Sequence, residues 1–348
     1  MGVKVSVVVA VFDPAREEDA FDACVRSLLD QSLPPDEYEV IVVDCGVAEP
    51  LRRRLDALAA VRPNVRVLPM ERPGSVAAGR NLGLSVACGE YVYVLGQTDR
   101  LAPEALRRMH ELAVTADAQV VVGRLARDGR PPMAAFGRTR FRADLLEDRL
   151  FALLTCHKLV RRDFAEERRL HFPELTADLS EQGFSVRAYL AAETVAILAD
   201  QVCCHLGPRP PAPVEPGPYL VGLRWILDAV DAAVAPGELR DRLYAHLLDG
   251  GVLRPLGGRR LLALPSGARE ELFAGLRDLV RERFPARLDR WLPVHLRIRA
   301  TLVRAGRLDR LLAFTRGARG IDLHAELRDL RWDGPVLTVA LTAELRRG

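Results

Sequence analysis

Lysine is almost missing from this chain. Of 348 residues, 50 are Lys or Arg, and only Lys4 and Lys158 are lysines. So general a replacement reads as a GC-rich coding bias, not as a demand for guanidinium at one site. An excess of charge is missing too: 50 basic against 47 acidic residues leave +3, too little to argue for a nucleic-acid partner. No apolar run free of charge reaches the ~18 residues of a bilayer-spanning helix. The opening run, residues 5–12, has no cleavage-site pattern and reads as a strand. A cytoplasmic protein without a transmembrane segment is therefore expected. The six cysteines (24, 45, 88, 156, 203, 204) show neither C-x-x-C nor Cys/His spacing, which argues against a zinc site. They read as reduced, mostly buried thiols, with the adjacent Cys203 and Cys204 facing opposite ways on a strand.

What remains is ordinary globular material, 49% apolar and 28% charged, long enough for two domains. Strand and helix alternate over the first two hundred residues. Buried strands are predicted at 5–12, 39–43, 65–68, 91–95 and 119–123, the first a β-branched run suited to a parallel sheet covered on both faces. Helices are predicted at 17–31, 51–60, 76–87 and 103–115, with Ala20, Phe21, Cys24, Leu28 and Leu29 forming an apolar stripe on the first. This βαβ series predicts an α/β fold with a mostly parallel, doubly wound, Rossmann-like sheet. Ligands of such sheets sit at the strand carboxyl ends, where Asp44, Gly96 and Asp99 fall.

The proline-rich segment 208–218 reads as a stiff linker. Beyond it, amphipathic helices are predicted at 219–234, 239–248, 268–284 and 294–305. Two alternating runs, 323–332 and 336–345, flank Asp333-Gly334-Pro335 and predict a hairpin. The expected organisation is an α/β domain over 1–207, the linker, a helical domain over 219–316 and a β tail over 317–348. That tail either packs on the helices or begins a larger β-module.

Several stretches of the first domain resemble family 2 glycosyltransferases of the GT-A fold. Ser6-Val7-Val8-Val9-Ala10-Val11-Phe12-Asp13 is similar to the family's S-V-V-V-P-V-Y-N, and Val42-Val43-Asp44-Cys45-Gly46 to its V-V-D-D-G. Gly79-Arg80-Asn81-Leu82-Gly83 with Ala87-Cys88-Gly89-Glu90-Tyr91 resembles A-R-N-x-G followed by A-x-G-E-Y. His157-Lys158-Leu159-Val160-Arg161-Arg162 is similar to G-K-L-x-R-R, and Leu179-Ser180-Glu181-Gln182-Gly183-Phe184 to E-D-x-x-F. The resemblance covers about residues 3–208. More loosely, the helical region and tail resemble the linker and C-terminal modules of wall-teichoic-acid GlcNAc transferases and related actinobacterial enzymes.

The resemblance implies an inverting transferase. Its donor would be a UDP-linked nucleotide sugar, and its acceptor a hydroxylated glycan, polyol polymer, peptide or small molecule. Phe12, Asp44, Arg80, Asn81, Gly96, Thr98 and Asp99 would line the nucleotide site. Asp44 would contact uracil or ribose, its alternative being a turn acid. Arg80 would contact base or diphosphate, its alternative being a salt bridge. Where the family holds Mn²⁺ or Mg²⁺ with D-x-D, this chain has Gly96 and Thr98. Only Asp99, or His205 at the end of a strand-like run, remains as a metal ligand. More often an acid placed just before a helix, as Asp99 is, caps the helix dipole. Metal dependence is accordingly expected to be weak or nil. Cations offered for the diphosphate are Arg80, Arg100, Lys158, Arg161, Arg162, His205 and Arg209. Glu181 is the expected catalytic base, with Asp178 as alternative. The departures at Cys45, Gly96, Thr98 and Ser180-Glu181 leave a second reading open: a degenerate domain that binds nucleotide or serves as a scaffold. The β tail offers a route to a homo-oligomer.

Overall fold

The computed structural model describes residues 2–12, 18–70, 74–127, 133–208, 214–317, 321–334 and 336–347, without the side chains of 177, 178, 259, 321–325 and 345–347. The chain forms two units, one of residues 1–213 and 217–243, the other of 214–216 and 244–348.

The first unit alternates strand and helix. In order come β1 (Val5–Val11), α1 (Glu18–Leu29), β2 (Tyr38–Asp44), α2 (Glu49–Val61), β3 (Val65–Pro69), α3 (Val76–Val86), β4 (Tyr91–Leu95) and β5 (Arg100–Leu101). They are followed by α4 (Ala105–Ala116), β6 (Val120–Ala126), β7 (Leu159–Arg161), α5 (Arg162–Glu167), α6 (Ala177–Ala191), β8 (Val195–His205) and α7 (Pro216–Ala233). The sheet order is β3-β2-β1-β4-β7-β6-β8-β5. β3, β2, β1 and β4 run parallel, as do β6 and β8; β7 and the edge strand β5 run antiparallel. Every residue of β1, β2 and β4 is buried, which their apolar, β-branched sequences allow. Polar exceptions are paired: Ser6 Oγ donates to Glu39 Oε1 at 2.6 Å.

Small residues let the layers close. A Cβ on Gly83 would lie 2.2 Å from Val8 Cγ1, so α3 rests directly on β1. Gly183 of α6 faces Trp225, and Gly222 of α7 faces Leu179. α7 therefore packs closely on α6 within the first unit. It also begins at Pro216, inside the segment expected to be linker; prolines at 216 and 218 fit a first helical turn, whose amides need no partner. The five residues 209–213 of that segment lie outside the described residues.

After α8 (Glu238–Leu247) and a π-helical turn (Leu248–Leu253), the second unit continues with α9 (Gly258–Ala263), α10 (Ser266–Arg283), α11 (Val294–Arg304) and α12 (Leu308–Gly317). Leu272, Leu276, Leu279, Leu296, Val303 and Leu311 form its core. The chain then makes the expected hairpin, β9 (Ile321–Asp333) with β10 (Val336–Arg347), turning at Gly334 with φ +56. The register pairs Leu327 with Leu341, Leu330 with Val339 and Trp332 with Leu337 along one apolar face, and all six side chains are exposed. No described helix is long and apolar enough to cross a membrane. All six cysteines are free thiols; five are buried and Cys88 is exposed.

Candidate functional site

Parallel β2, β1 and β4 bring their carboxyl ends to one edge of the sheet, where Phe12, Asp44, Gly96, Thr98 and Asp99 lie. β2 ends in Asp44. Its Oδ1 accepts the amides of Gly46 (2.9 Å) and Val47 (2.8 Å), and its Oδ2 accepts Arg52 Nε (2.8 Å). Burial pushes the Asp44 carboxyl up, but the two amides and Arg52 prevail and hold it below the usual carboxylate value. Asp44 thus shapes the turn that follows β2. Burial, with the Asp44 charge behind it, pushes the neighbouring Cys45 thiol up to about 11, so it stays neutral near pH 7.

α3 projects Arg80 and Asn81. The Arg80 guanidinium is buried, donates from Nη2 to Glu181 Oε1 at 2.8 Å and lies 5.1 Å from the Phe172 ring centre. Phe172 stacks on Phe184 at 4.2 Å. Asn81 bridges the Phe172 backbone, donating to its carbonyl and accepting its amide, both at 2.8 Å. Glu181 is 5% exposed, and its Oε2 accepts the Cys156 amide at 3.3 Å. Arg80 and Glu181, expected in separate roles, are one buried ion pair tying α3 to α6. The Asp178 side chain lies outside the described residues.

The turn after β4 carries Gly96 and Thr98. Phe12 donates its amide to Gln97 Oε1 at 2.8 Å, linking the ends of β1 and β4. Thr98 Oγ1 donates to the Pro208 carbonyl at 3.3 Å. Asp99 is fully buried: Oδ2 pairs with His157 Nε2, and Oδ1 accepts the Gly207 amide, both at 2.8 Å. Gly207 is needed there, since a Cβ would fall 2.0 Å from the Thr98 carbonyl oxygen.

A divalent cation, which the GT-A resemblance implies, does not fit these residues. Gly96 has no side chain, Thr98 offers one hydroxyl, and Asp99, the expected ligand, spends both oxygens on His157 and Gly207. Among the described residues no group of three His, Cys, Asp or Glu is arranged to hold a metal ion. Asp99, expected as a metal ligand, is here a buried anchor of the turn, and among the described residues His205 has no carboxylate set to join.

The cations sort by place. Lys158 is 1% exposed, donates to the carbonyls of Leu153 (2.9 Å) and Thr155, and sits 5.0 Å from the Tyr189 ring centre. Burial pushes its ammonium down to about 7. It is a core lysine, neither a solvated one nor one reaching a phosphate. The register of β7 sets Arg161 opposite Tyr91, the first residue of β4, at the far end of the sheet from Gly96. Arg161 there pairs with Asp117, and Arg162 bonds the Gly89 carbonyl and Glu166. Both leave the list of diphosphate partners. His205 ends β8 between Ala126 and Arg100; Arg209 lies outside the described residues. Gln97, Cys156, His157, Phe172 and Gly207 were not singled out from sequence. Their one signal was His157, standing where the family's basic motif has glycine.

Comparison with known proteins agrees with this architecture. The glycosyl transferase family 2 model matches residues 6–170, and the model of the glycosyl transferase TarS linker domain matches residues 216–315. A poly(ribitol-phosphate) beta-glucosyltransferase of Bacillus spizizenii is 26% identical over 255 residues, 71% of this chain and 40% of that protein. The poly(ribitol-phosphate) beta-N-acetylglucosaminyltransferase TarS of Staphylococcus aureus is 27% identical over 262 residues, 71% of this chain and 44% of that protein. The chain thus spans less than half the length of these two relatives. The succinoglycan biosynthesis protein ExoO of Rhizobium meliloti is 30% identical over 270 residues, 71% of this chain and 70% of ExoO. The crystal structure of S. aureus TarS 1–349 in complex with UDP-GlcNAc superposes with TM-score 0.77 at 21% identity, covering 99% of both chains. That of the same region with UDP gives 0.76 at 22% identity, covering 97% of this chain and 96% of the other. The structural likeness shows a shared GT-A fold. By family model, by relatives and by architecture, the chain belongs to glycosyltransferase family 2.

Proposed function

We propose that this chain is an inverting glycosyltransferase that moves a sugar from a nucleotide diphosphate, UDP in the first instance, to a hydroxyl of a polyol-phosphate polymer. The donor follows from the complexes of S. aureus TarS with UDP and UDP-GlcNAc, the acceptor from the poly(ribitol-phosphate) named in two relatives. The observation that carries the chemistry is the placement of Glu181. Its carboxylate is held by Arg80 and the Cys156 amide, on the helix matching the family's E-D-x-x-F segment. An inverting transfer needs such a fixed carboxylate to take the acceptor's proton as its oxygen attacks the anomeric carbon. Asp44, Arg80 and Asn81 support the nucleotide side chiefly by holding the surrounding backbone and Glu181 in place.

One observation favours a second reading, nucleotide binding without turnover: the Glu181 carboxylate is engaged by Arg80, and no carboxylate pair follows β4. Both readings meet one experiment. Thermal melting with UDP, UDP-GlcNAc and UDP-glucose comes first, then transfer to poly(ribitol-phosphate), for the wild type and Glu181→Gln. Transfer is expected, with UDP stabilisation kept and turnover lost by at least about a hundredfold in the variant. Stabilisation by UDP without transfer from any donor would favour the binding module. No response to any nucleotide would sink both.

A further inference from the structure

The turn after β4 lacks the carboxylates for a divalent cation, so a donor diphosphate lying there needs another counter-charge. Two basic side chains flank that turn. Arg100 follows Asp99 directly and opens β5; it is exposed, and its side chain makes no hydrogen bond or ion pair with another described residue. By contrast Arg52, Arg66, Arg107, Arg108, Arg161 and Arg162 of the same unit each hold a carboxylate. The antiparallel register places Arg100 opposite His205. Opposed residues share one face of a sheet, with Cβ atoms about 4.5–5.5 Å apart. Their neighbours Leu101 and Cys204, also opposed, take the other face and are buried. His205 Nδ1 is buried with no hydrogen-bond partner among the described residues. Two residues on, Gly207 bonds Asp99 and abuts Thr98, which ties the chain leaving His205 to the turn itself.

We infer that Arg100 and His205 together form an anion site for the donor's distal phosphate, standing where the fold family uses a metal ion. This rests on the nucleotide-sugar reading above and adds what replaces its cation. A guanidinium grips two phosphate oxygens at once, and an imidazole N–H adds a third bond. In the transfer, the acceptor oxygen bonds the anomeric carbon and its proton passes to Glu181. The bond from that carbon to the phosphate oxygen breaks, and its electron pair stays on the diphosphate. Fixed cations at that oxygen offset the charge as it develops.

Calorimetric titration of uridine, UMP and UDP, once with chelator and once with Mn²⁺, tests the inference on the wild type, Arg100→Met and His205→Asn. With chelator the wild type should bind UDP at least about tenfold more tightly than UMP, as charge-assisted bonds to the second phosphate require. Mn²⁺ should change that ratio by less than about threefold. Arg100→Met should bring the ratio within about threefold of unity while uridine affinity and melting temperature stay put; His205→Asn should lower it part of the way. Two outcomes would overturn the inference alone: a ratio near unity in chelator that Mn²⁺ raises, or a ratio untouched in both variants. Failure of uridine, UMP and UDP all to bind the wild type would overturn the nucleotide reading, and this inference with it.

Discussion

At the β2–α3 side of the strand ends, the protein takes up most of the hydrogen-bonding capacity of the motif side chains. Asp44 takes three hydrogen bonds, Asn81 spends both ends of its amide on Phe172, and Arg80 is consumed by Glu181 and an aromatic face. At the β5–β8 edge less is taken up. Among the described residues the exposed Arg100 side chain has no ion pair, and a buried nitrogen of His205 has no hydrogen-bond partner. The first side is where the family motifs are densest and the second where they have decayed. Motif residues here act as the frame, fixing the backbone and the Glu181 carboxylate. Arg100 and His205 keep spare bonding capacity next to the turn that carries Gly96 and Thr98.

The contrast breaks first at Arg80. Arg80→Met should leave a buried carboxylate without its guanidinium and cost about 3–5 kcal/mol in urea denaturation. A loss below about 1 kcal/mol, typical of an exposed pair, would mean that the two sides do not differ as described.

Asp44→Asn should cost about 1–3 kcal/mol, because Arg52 and a turn amide lose a charged acceptor. Its pH dependence has a definite sign. The folded carboxyl lies below its unfolded value of about 3.9, so its contribution is whole above that value and fades as pH falls through the lower folded one. The melting gap between wild type and Asp44→Asn should therefore narrow between about pH 6 and about pH 3.

Lys158→Met probes a second group held down, this time a base. With the folded ammonium near about 7 and the unfolded one near the ordinary lysine value, the unfolded chain binds more protons between them. Wild-type stability relative to Lys158→Met should rise through that window, by no more than about 1.4 kcal/mol per pH unit. A flat difference between about pH 7 and about pH 9 would rule out a neutral buried amine.

The smallest effect belongs to the unsatisfied edge: Arg100→Met should change folding stability by less than about 0.5 kcal/mol. A larger loss in denaturation would reveal a structural duty for Arg100 and blur the comparison.

Much of the frame was legible from local pattern. Continuous β-branched runs announced β1, β2 and β4, and Gly79-Arg80-Asn81 marked the helix that faces their ends. What escaped depends on partners distant in sequence. Asp99 meets His157 across 58 residues and Gly207 across 108, so nothing near Asp99 distinguished an anchor from a ligand. β7 spans only 3 residues, too few to show a period, yet its antiparallel insertion decides which basic residues reach the site and which point to the far end. Lys158 drew notice by its rarity, but only burial told where it sits. The prolines at 216 and 218 read as stiffness in isolation and as a helix start once α7 is seen against α6.

That rarity has a practical side. Lys4 is partly accessible at the surface, whereas Lys158 is sealed in the core beside the residues that hold Glu181. An amine-directed label would therefore mark Lys4 in the folded protein and reach Lys158 only when this region opens. The peptide bearing Lys158 becomes a built-in clock for breathing of the region around Glu181, legible by mass spectrometry without engineering a probe into the chain.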